Sequence, residues 1–389
     1  MKNVLFISAA LEMSDSSAAI RNRKLVKALA QSFQVDSIEF SPRNAEKMCE
    51  LPNISNIVLK MPFSFQNSSK KKGKSYGQLN KIKDRLKYYT KSIVPDSYAA
   101  NYRHMVTSID NNAPDKKYQI VIISSDPKGV HFLWFSSFVK KLINNGAKTY
   151  QYWGDPWAGD IASYNNTLTK VLEKRIYSKS KYIIFNSKGT FLEKSEGSPH
   201  KEKFLFLSRG LDCDVTSFPE EDSIKLEGKI RFIYAGDFHS RFRNLNPFCE
   251  AIKNSPHELA IVGNGDLKED YHALDNISIK KRMPYKEVSQ LVESGDVLLV
   301  LLNNIGNQIP GKIYDLASKN KPVMLLYENE KILDFIPFSS RFILVKNVES
   351  EIENVISKIS NSNIIIDYKE LKKENYQEKV LEIFDSGKS

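Results

Sequence analysis

The sequence Val297-Leu-Leu-Val-Leu-Leu302 is a run of six aliphatic residues. A loop, a short helical pattern at 312–318 and a second apolar run at 322–327 follow it. An apolar run of this length, without alternation, is typical of a strand that is buried on both faces. Two such strands joined by a helix form a βαβ unit, so this stretch predicts a parallel sheet covered by helices.

The same alternation of apolar runs and helical patterns extends over the rest of the chain. The predicted strands are Val4–Ser8, Val35–Phe40, Ile54–Lys60, Gln119–Ser125, Lys148–Trp153, Tyr182–Asn186, Phe204–Leu207, Ile230–Ala235, Glu258–Val262, Ile277–Lys281, Val297–Leu302, Pro322–Tyr327 and Arg341–Lys346. The start, Met1–Leu11, has the basic residue and short apolar core of a weak signal peptide. Because its apolar part is only as long as a strand, we predict the first β-strand there.

The segment 209–228 is polar and carries proline and glycine, which is typical of a linker. A length of 389 residues also favours two or three domains, at about 150 residues each. We therefore predict an α/β fold with two Rossmann-like, doubly wound domains that face each other across a cleft. The predicted boundaries are 1–210 and 211–365, and residues 366–389 are predicted to form a charged helix that packs back toward the N-terminal domain.

The charge of the chain is strongly positive. Lysine and arginine number 57 against 46 aspartates and glutamates, which gives a net charge of +11. Such an excess favours a polyanionic partner: nucleic acid, an anionic membrane face or a phosphorylated small molecule. The segment from Lys70 to Lys91 contributes nine basic residues and one acid.

Apolar residues recur every three to four positions within 70–93, so this segment can form one basic amphipathic helix. Two interpretations stay open. The helix lies on an anionic membrane, or its apolar face packs on the core and its basic face is solvated.

Several common sites are missing from the sequence. No glycine-rich dinucleotide fingerprint follows the first strand, and no P-loop occurs. The six histidines and three cysteines have no metal-ligand spacing, so we predict no metal site. Asp212-Cys213-Asp214 has the form of a metal-binding Asp-x-Asp pair, but it lies in the predicted linker. No apolar stretch approaches the ~20 residues that span a bilayer, and the cysteine usage fits a reducing cytoplasm.

Candidate ligand-binding residues follow three strands of the second half. Gly263-Asn264-Gly265 is a tight turn that lets backbone approach a ligand closely. Arg241 and Arg243 lie in the loop after another strand, and arginine binds diphosphate in a bidentate manner. Lys312 begins a helix, where a cation and the helix N-terminus both favour an anion. Asp315 lies one turn further, where a carboxylate can accept hydrogen bonds from a ribose diol. Taken singly, each of these side chains also fits a solvated loop or a surface charge.

The stretch Ile309–Val323 resembles the donor-binding signature of glycosyltransferase family 4, whose members are retaining enzymes of the GT-B fold. The order of the surrounding segments is similar as well: Ser17–Gln31 with Arg21, Tyr234–Gly236, Ala260–Gly265, Met283–Glu287 and Ser294–Val300. Gly154-Asp-Pro-Trp157 resembles the Arg-Asp-x-Trp motif of a subgroup that makes cell-surface polysaccharides.

This resemblance implies a role for each matching residue. The C-terminal domain would bind the nucleotide-sugar donor through Gly236, Arg241, Arg243, Gly263, Asn264, Gly265, Arg282, Met283, Pro284, Gly306, Pro310, Gly311, Lys312, Ile313 and Asp315. Asp315 would bind the ribose, Arg243 with Arg241 the diphosphate, and 282–284 the base. The catalytic residues would be Asp155, Lys312 and Asn307, with Asp155 contributed by the acceptor-binding N-terminal domain.

The chain departs from the family pattern at three positions. Asn307 stands where the family usually has a glutamate that faces the transferred sugar. Asp237 replaces an arginine that commonly follows Gly236, so diphosphate binding would depend on Arg243 and Lys312. Gly154 replaces the arginine expected before Asp155.

The resemblance implies a metal-independent hexosyltransferase without a cofactor, acting with retention of configuration. Its donor would be a nucleotide-diphosphate sugar, with UDP as the family's commonest carrier. Its acceptor would be a carbohydrate or a lipid-linked sugar used in cell-surface polysaccharide or glycoconjugate synthesis. The expected location is the cytoplasm, with peripheral association at the inner face of the plasma membrane.

Two alternatives use a similar fold: a non-catalytic GT-B-like partner of another glycosyltransferase, and a sugar-nucleotide epimerase. A nucleic-acid-binding protein would also explain the net charge, but no recognition motif supports it, so no nucleic acid is predicted among the partners.

Overall fold

A computed structural model of the chain describes residues 1–64, 90, 93–160, 167–211, 214 and 216–386. The chain divides into two compact units. Unit 1 contains Met1–Gly210 with Tyr376–Ser389, and unit 2 contains Leu211–Asn375. Most of the basic segment 70–93, with Asp212 and Cys213, lies outside the described residues.

The sheet of unit 1 is parallel throughout and has the strand order β3-β2-β1-β4-β5-β6-β7. Its strands are β1 (Asn3–Ser8), β2 (Gln34–Pro42), β3 (Ser55–Met61), β4 (Ile120–Ser124), β5 (Lys148–Trp153), β6 (Tyr182–Phe185) and β7 (Phe204–Phe206). All seven were predicted, including the first strand at the N-terminus. The strand order reverses between β1 and β4, which is the switch point where ligands bind in doubly wound sheets.

The α-helices described in unit 1 are α1 (Ser17–Ala30), α2 (Ser97–Ala100), α3 (Tyr102–Asn112), α4 (Ser137–Asn144), α5 (Thr167–Tyr177), α6 (Lys188–Glu196) and α12 (Tyr376–Leu381). Helix α1 begins after Ser16, whose hydroxyl accepts a hydrogen bond from the Ala19 N–H at 3.2 Å. None of the helices within the described residues of either unit is long and apolar enough to span a membrane.

Unit 2 has a six-stranded parallel sheet in the order β11-β10-β9-β12-β13-β14. Its strands are β9 (Arg231–Ala235), β10 (Glu258–Val262), β11 (Ile277–Lys280), β12 (Val297–Leu301), β13 (Val323–Tyr327) and β14 (Ile343–Lys346). In β12, Val297, Leu299 and Leu301 pack in one hydrophobic cluster, while Leu298 and Val300 pack in another. Both faces of the strand are therefore buried, which is why its sequence shows no polar alternation.

The helices of unit 2 are α7 (Asn246–Ile252), α8 (Tyr285–Glu293), α9 (Lys312–Ala317), α10 (Glu349–Ile359) and α11 (Lys369–Lys372). A second, small sheet pairs β8 (Glu221–Lys225) antiparallel with β15 (Asn363–Asp367). The prediction of a linker over 209–228 is thus wrong for 221–225. Strand β8 has a single apolar residue, so its sequence resembles a loop, and its pairing partner is far away in the sequence.

The predicted single helix over 366–389 is also corrected by the structure. Helix α11 ends at Lys372, and helix α12 is followed by a π-helical turn at Glu382–Ser386. Val380, Ile383 and Phe384 are buried in the cluster that contains the apolar face of α1. The amide of Gln377 donates to the carbonyl of Ala28 at 3.0 Å. This last segment therefore completes the core of unit 1.

Candidate functional site

In unit 2, the loops after the neighbouring strands β9 and β10 lie directly on one another. The Phe238 N–H donates to the Asn264 carbonyl at 3.1 Å, and the Gly236 N–H donates to the Val262 carbonyl at 2.8 Å. A Cβ on Gly263 would overlap the carbonyl oxygen of Gly236. Glycine is required at 263 by this close approach, which holds the polar groups that follow β9 and β10 together at the carboxyl edge of the sheet.

An ion pair between Asp237 and Arg282 connects this loop to the end of β11. Arg282 Nε donates to Asp237 Oδ1 at 2.9 Å, and Arg282 Nη2 donates to Oδ2. The Asn264 N–H donates to the same carboxylate at 3.1 Å. Burial alone would raise the pKa of Asp237, but the hydrogen bonds from Arg282 and Asn264 outweigh it and hold the pKa below its usual value. Asp237 therefore stays ionised and fixes the Arg282 guanidinium.

The ammonium group of Lys312 lies beside Gly236. Its Nζ is 3.3 Å from the position that a Cβ on Gly236 would take. Burial lowers the pKa of Lys312 to about 8, the nearby carboxylates of Asp315 and Asp237 oppose this effect, and the guanidinium groups of Arg243 and Arg282 add to it. No described residue forms a hydrogen bond or ion pair with this ammonium group. A half-buried ammonium group with no direct hydrogen-bonding partner among the described residues is the arrangement expected of an anion site.

The loop after β12 fixes Arg243 by a hydrogen bond. Its Nε donates to Asn303 Oδ1 at 2.6 Å, and Asn303 Nδ2 donates to the carbonyl of Gln308 at 2.9 Å. Asn303 is almost completely buried. We name Arg243, Arg282 and Lys312, with Asp237 and Asp315, the charged cluster of unit 2.

The structure places the other predicted donor residues in different surroundings. Gly306, Asn307, Pro310 and Gly311 belong to the loop between β12 and α9, and Met283 with Pro284 precede α8. Ile313 is fully buried in the hydrophobic core, so its side chain cannot face a ligand in this arrangement. Arg241 is exposed and contacts none of the charged cluster among the described residues.

Sequence reasoning missed polar residues at the ends of β12, β13 and β14. Asn347 Nδ2 donates to Glu328 Oε1 at 3.1 Å, and Asn304 Nδ2 donates to Glu328 Oε2 at 3.3 Å. Gln308 is nine-tenths buried, and its Nε2 has no partner among the described residues. A polar residue directly after each apolar run was the signal that could have identified them.

Asp155 lies in unit 1, in a second group of charges at the carboxyl ends of β4 and β5. Lys128 Nζ contacts Asp160 Oδ2 at 2.5 Å and lies 3.8 Å from Asp126 Oδ1. Burial is the main reason that the pKa of Asp155 is raised to about 6. The neighbouring charge of Asp126 raises it further, while Lys128 lowers it.

Arg21 on α1 occupies the space beside Gly154. A Cβ on Gly154 would overlap its guanidinium group, which donates from Nη2 to the carbonyl of Ser125. The same guanidinium lies 5.1 Å from the centroid of the Tyr152 ring. Arg21 thus leaves no room for a side chain at position 154. It places a guanidinium group beside Gly154, which occupies the arginine position of the Arg-Asp-x-Trp motif.

Replacing Asp155 by asparagine is expected to stabilise unit 1 at alkaline pH. The folded-state pKa of about 6 exceeds the ordinary value of 3.8, so the folded protein binds more protons between these values and loses stability as pH rises through them. The variant should gain up to about 3 kcal/mol at pH 8 and less at pH 5. Urea unfolding followed by tryptophan fluorescence measures this, because all three tryptophans (Trp134, Trp153 and Trp157) are buried in unit 1.

The exposed Asp115 provides the control, and Asp115→Asn should change little at either pH. An equal gain for Asp155→Asn at both pH values would contradict the assignment of a raised pKa.

Comparisons with known proteins agree with this architecture. No protein-family model matches the chain, and no curated protein sequence matches it. The chain is similar in structure to HepE of Anabaena in complex with UDP-glucose, with a TM-score of 0.53 and 10% identity, over 99% of this chain and 96% of that chain. The catalytic domain of Starch Synthase IV from Arabidopsis thaliana, bound to ADP and acarbose, gives a TM-score of 0.53 at 10% identity, over 99% and 95%.

A third similar structure is the UDP-GlcNAc 2-epimerase from Neisseria meningitidis bound to UDP-GlcNAc, with a TM-score of 0.50 and 13% identity, over 98% of this chain and 94% of that chain. Likeness at such low identity shows the fold alone. Together with the seven-stranded and six-stranded parallel sheets, it shows that the chain has the GT-B fold. The predicted fold class is therefore confirmed.

Proposed function

We propose that this protein is a glycosyltransferase that transfers a sugar from a nucleotide-diphosphate donor, with UDP as the carrier. The observation that carries the proposal is the charged cluster of unit 2, in which the ammonium group of Lys312 forms no hydrogen bond or ion pair with a described residue. The GT-B fold supports it, because similar structures are in complex with UDP-glucose and with ADP. The resemblance of Ile309–Val323 to glycosyltransferase family 4 adds the expectation of retention.

The cluster offers a different group to each part of the donor. Lys312 and Arg243 would bind the diphosphate, and Asp315 would bind the ribose diol. The backbone of 263–265 and 282–284 would approach the rest of the nucleotide, and Asn307 would face the sugar. In the reaction, negative charge grows on the leaving diphosphate as the anomeric carbon loses its bond to oxygen. Fixed cations that stabilise this charge lower the barrier, and we propose that they do so without a metal ion.

Unit 1 would bind the acceptor, with Asp155 at the reacting end. A carbohydrate or lipid-linked acceptor fits the proposed role in cell-surface polysaccharide synthesis. For a lipid-linked acceptor, the basic segment 70–93 would hold the cytoplasmic enzyme at the inner, anionic face of the membrane.

A thermal-shift panel of UDP, GDP, ADP and TDP tests the donor site. UDP should stabilise the protein most, because a ligand that binds only the folded state raises its melting temperature. Asp315→Ala and Lys312→Ala should abolish the shift, whereas the exposed residues Asp275 and Lys331 provide matched controls whose alanine variants should keep it. If no nucleotide shifts the parent protein, or if the two cluster variants shift as it does, the site has been placed wrongly.

The epimerase among the similar structures keeps one alternative open. An epimerase would convert a UDP-sugar into its epimer without an acceptor. A non-catalytic partner protein would neither epimerise the UDP-sugar nor hydrolyse it. A glycosyltransferase should instead hydrolyse the donor slowly and release UDP. Incubation of the protein with UDP-sugars, followed by chromatography of the sugar and the nucleotide in the presence and absence of a chelator, separates these cases.

A further inference from the structure

The outer face of α5 carries two large apolar side chains that are about half exposed. Leu168 is 40% exposed and Val171 is 55% exposed. They are three residues apart, so they lie on the same side of the helix. Burying a side chain of this size in an apolar environment is favourable by about 1.5–3 kcal/mol, hence such an exposed pair is unusual beside an otherwise charged surface.

Cations surround these two residues. The exposed basic residues on α5 and in the turn that follows it are Lys170, Lys174, Arg175, Lys179 and Lys181. The acid of this stretch, Glu173, is buried and paired with Lys194 at 2.7 Å. No described residue pairs with Lys170 or Lys174. The exposed side of 167–181 is therefore uniformly positive, with apolar groups among its charges.

A groove of about 600 Å³ runs along the same helix, between α5 and α6. Lys170, Glu173 and Lys174 of α5 line it, and Glu193 and Lys194 of α6 line it as well. Ile183 and Phe204 add apolar surface to it. The lining is therefore of mixed charge, and it includes neither Leu168 nor Val171, so the groove is separate from the exposed apolar pair.

We propose that this face, formed by Leu168, Val171 and the surrounding cations, docks the protein on a bilayer that contains anionic phospholipids. Leu168 and Val171 enter the acyl boundary, and the cations contact lipid phosphates. The surface is distinct from the segment 70–93, and the inference does not depend on the nucleotide site.

The chemistry of the face favours lipid over other polyanions. Nucleic acid would be bound by the lysines, but its backbone offers no apolar environment for Leu168 and Val171. Protein interfaces are depleted of lysine and enriched in aromatic residues, and this face has the opposite composition. An anionic membrane interacts favourably with both parts of this face, because its acyl region buries the two aliphatic side chains and its phosphates attract the cations.

Vesicle co-sedimentation tests the proposal. The full chain should bind vesicles of phosphatidylcholine with phosphatidylglycerol and should not bind pure phosphatidylcholine. Each basic residue near such a surface contributes about fivefold in affinity, so Lys170→Glu with Lys174→Glu should weaken binding by at least about 25-fold. Leu168→Ser with Val171→Ser should also weaken it, by about tenfold or more.

Matched controls change the same chemistry elsewhere. Lys331→Glu with Lys358→Glu makes the same charge change, and Val348→Ser with Ile365→Ser replaces two exposed apolar residues of unit 2. Both control pairs should bind as the parent does, and all four double variants should keep the nucleotide-induced thermal shift. This shift shows that the variants are folded and separates the inference from the proposed function.

Four results would overturn the inference. The parent protein does not bind anionic vesicles, or both α5 variants bind as well as the controls. Alternatively, the charge variant loses binding to single-stranded RNA and to vesicles equally while the apolar variant loses neither. If vesicle binding disappears only when Lys70, Lys71, Lys72 and Lys74 are changed to glutamate, the membrane contact belongs to the segment 70–93 and the α5 face has no part in it.

Discussion

Replacing Lys312 by alanine is expected to lower the turnover of sugar transfer by about 100- to 1000-fold, the cost of removing one fixed donor from a developing charge. The ammonium group lies beside Gly236, and no described residue forms a hydrogen bond or ion pair with it. The variant should also bind the nucleotide more weakly. Steady-state kinetics with a saturating UDP-sugar measures turnover directly, and Lys331→Ala supplies the matched control on the surface of the same unit.

The pH dependence gives a second, independent readout of Lys312. Because burial lowers its pKa to about 8, the free enzyme loses this charge as pH rises through 8. kcat/KM should therefore fall on the alkaline side, since this ratio reports groups of the free enzyme. The arginine of Lys312→Arg stays charged throughout this pH range. The variant should therefore shift the alkaline fall of kcat/KM to higher pH, even if the different shape of the side chain lowers the rate. An unchanged limb would show that another group causes it.

Replacing Glu173 by alanine is expected to destabilise unit 1 by about 3–5 kcal/mol, the usual cost of breaking a buried ion pair by removing one partner. Its carboxylate accepts hydrogen bonds from the N–H groups of Trp157 at 2.6 Å and Ala158 at 2.7 Å, besides the ion pair with Lys194. The change leaves two buried donors without a partner and removes the counter-ion of Lys194, whose ammonium group still donates to the Ala158 carbonyl. Urea unfolding followed by tryptophan fluorescence reports on unit 1 alone.

The comparison that isolates this interaction is a double-mutant cycle with Lys194→Ala. If the two side chains form one unit, the double variant should lose less stability than the sum of the single variants. Glu50→Ala provides the control, because Glu50 is 81% exposed and should contribute within about 0.5 kcal/mol. If the losses of stability are additive, the ion pair between Glu173 and Lys194 contributes no coupling free energy. The effect of Glu173→Ala would then come from the backbone hydrogen bonds alone.

The parallel sheets could be predicted from the sequence because their strands are buried on both faces. Runs such as Val297–Leu302 contain no polar residue, and such a run is stable only where both of its faces are buried, as in the interior of a parallel sheet. The pair β8 and β15 could not be predicted. Strand β8 alternates exposed and partly buried residues and contains one apolar residue, and its pairing depends on a partner that is about 140 positions away in the sequence.

For the candidate site too, some residues could be identified from the sequence and others could not. The residues that end apolar strands or begin helices, such as Gly263 and Lys312, were found because the parallel topology brings strand ends to one edge. The partners that fix them were not found. The ion pair of Asp237 with Arg282 and the bond from Arg243 to Asn303 join different loops, and single-sequence patterns contain no information on such contacts. Arg21 beside Gly154 is a third example, since the two residues belong to separate elements.

The return of residues 376–386 to unit 1 has a consequence for biosynthesis. On the ribosome, the first 210 residues emerge without Val380, Ile383 and Phe384, so the surface of α1 that these side chains cover stays uncovered until these residues have been made. Unit 2 is continuous in sequence and can fold as soon as it leaves the exit tunnel. Unit 1, which is made first, can therefore complete its core only after unit 2 has been made.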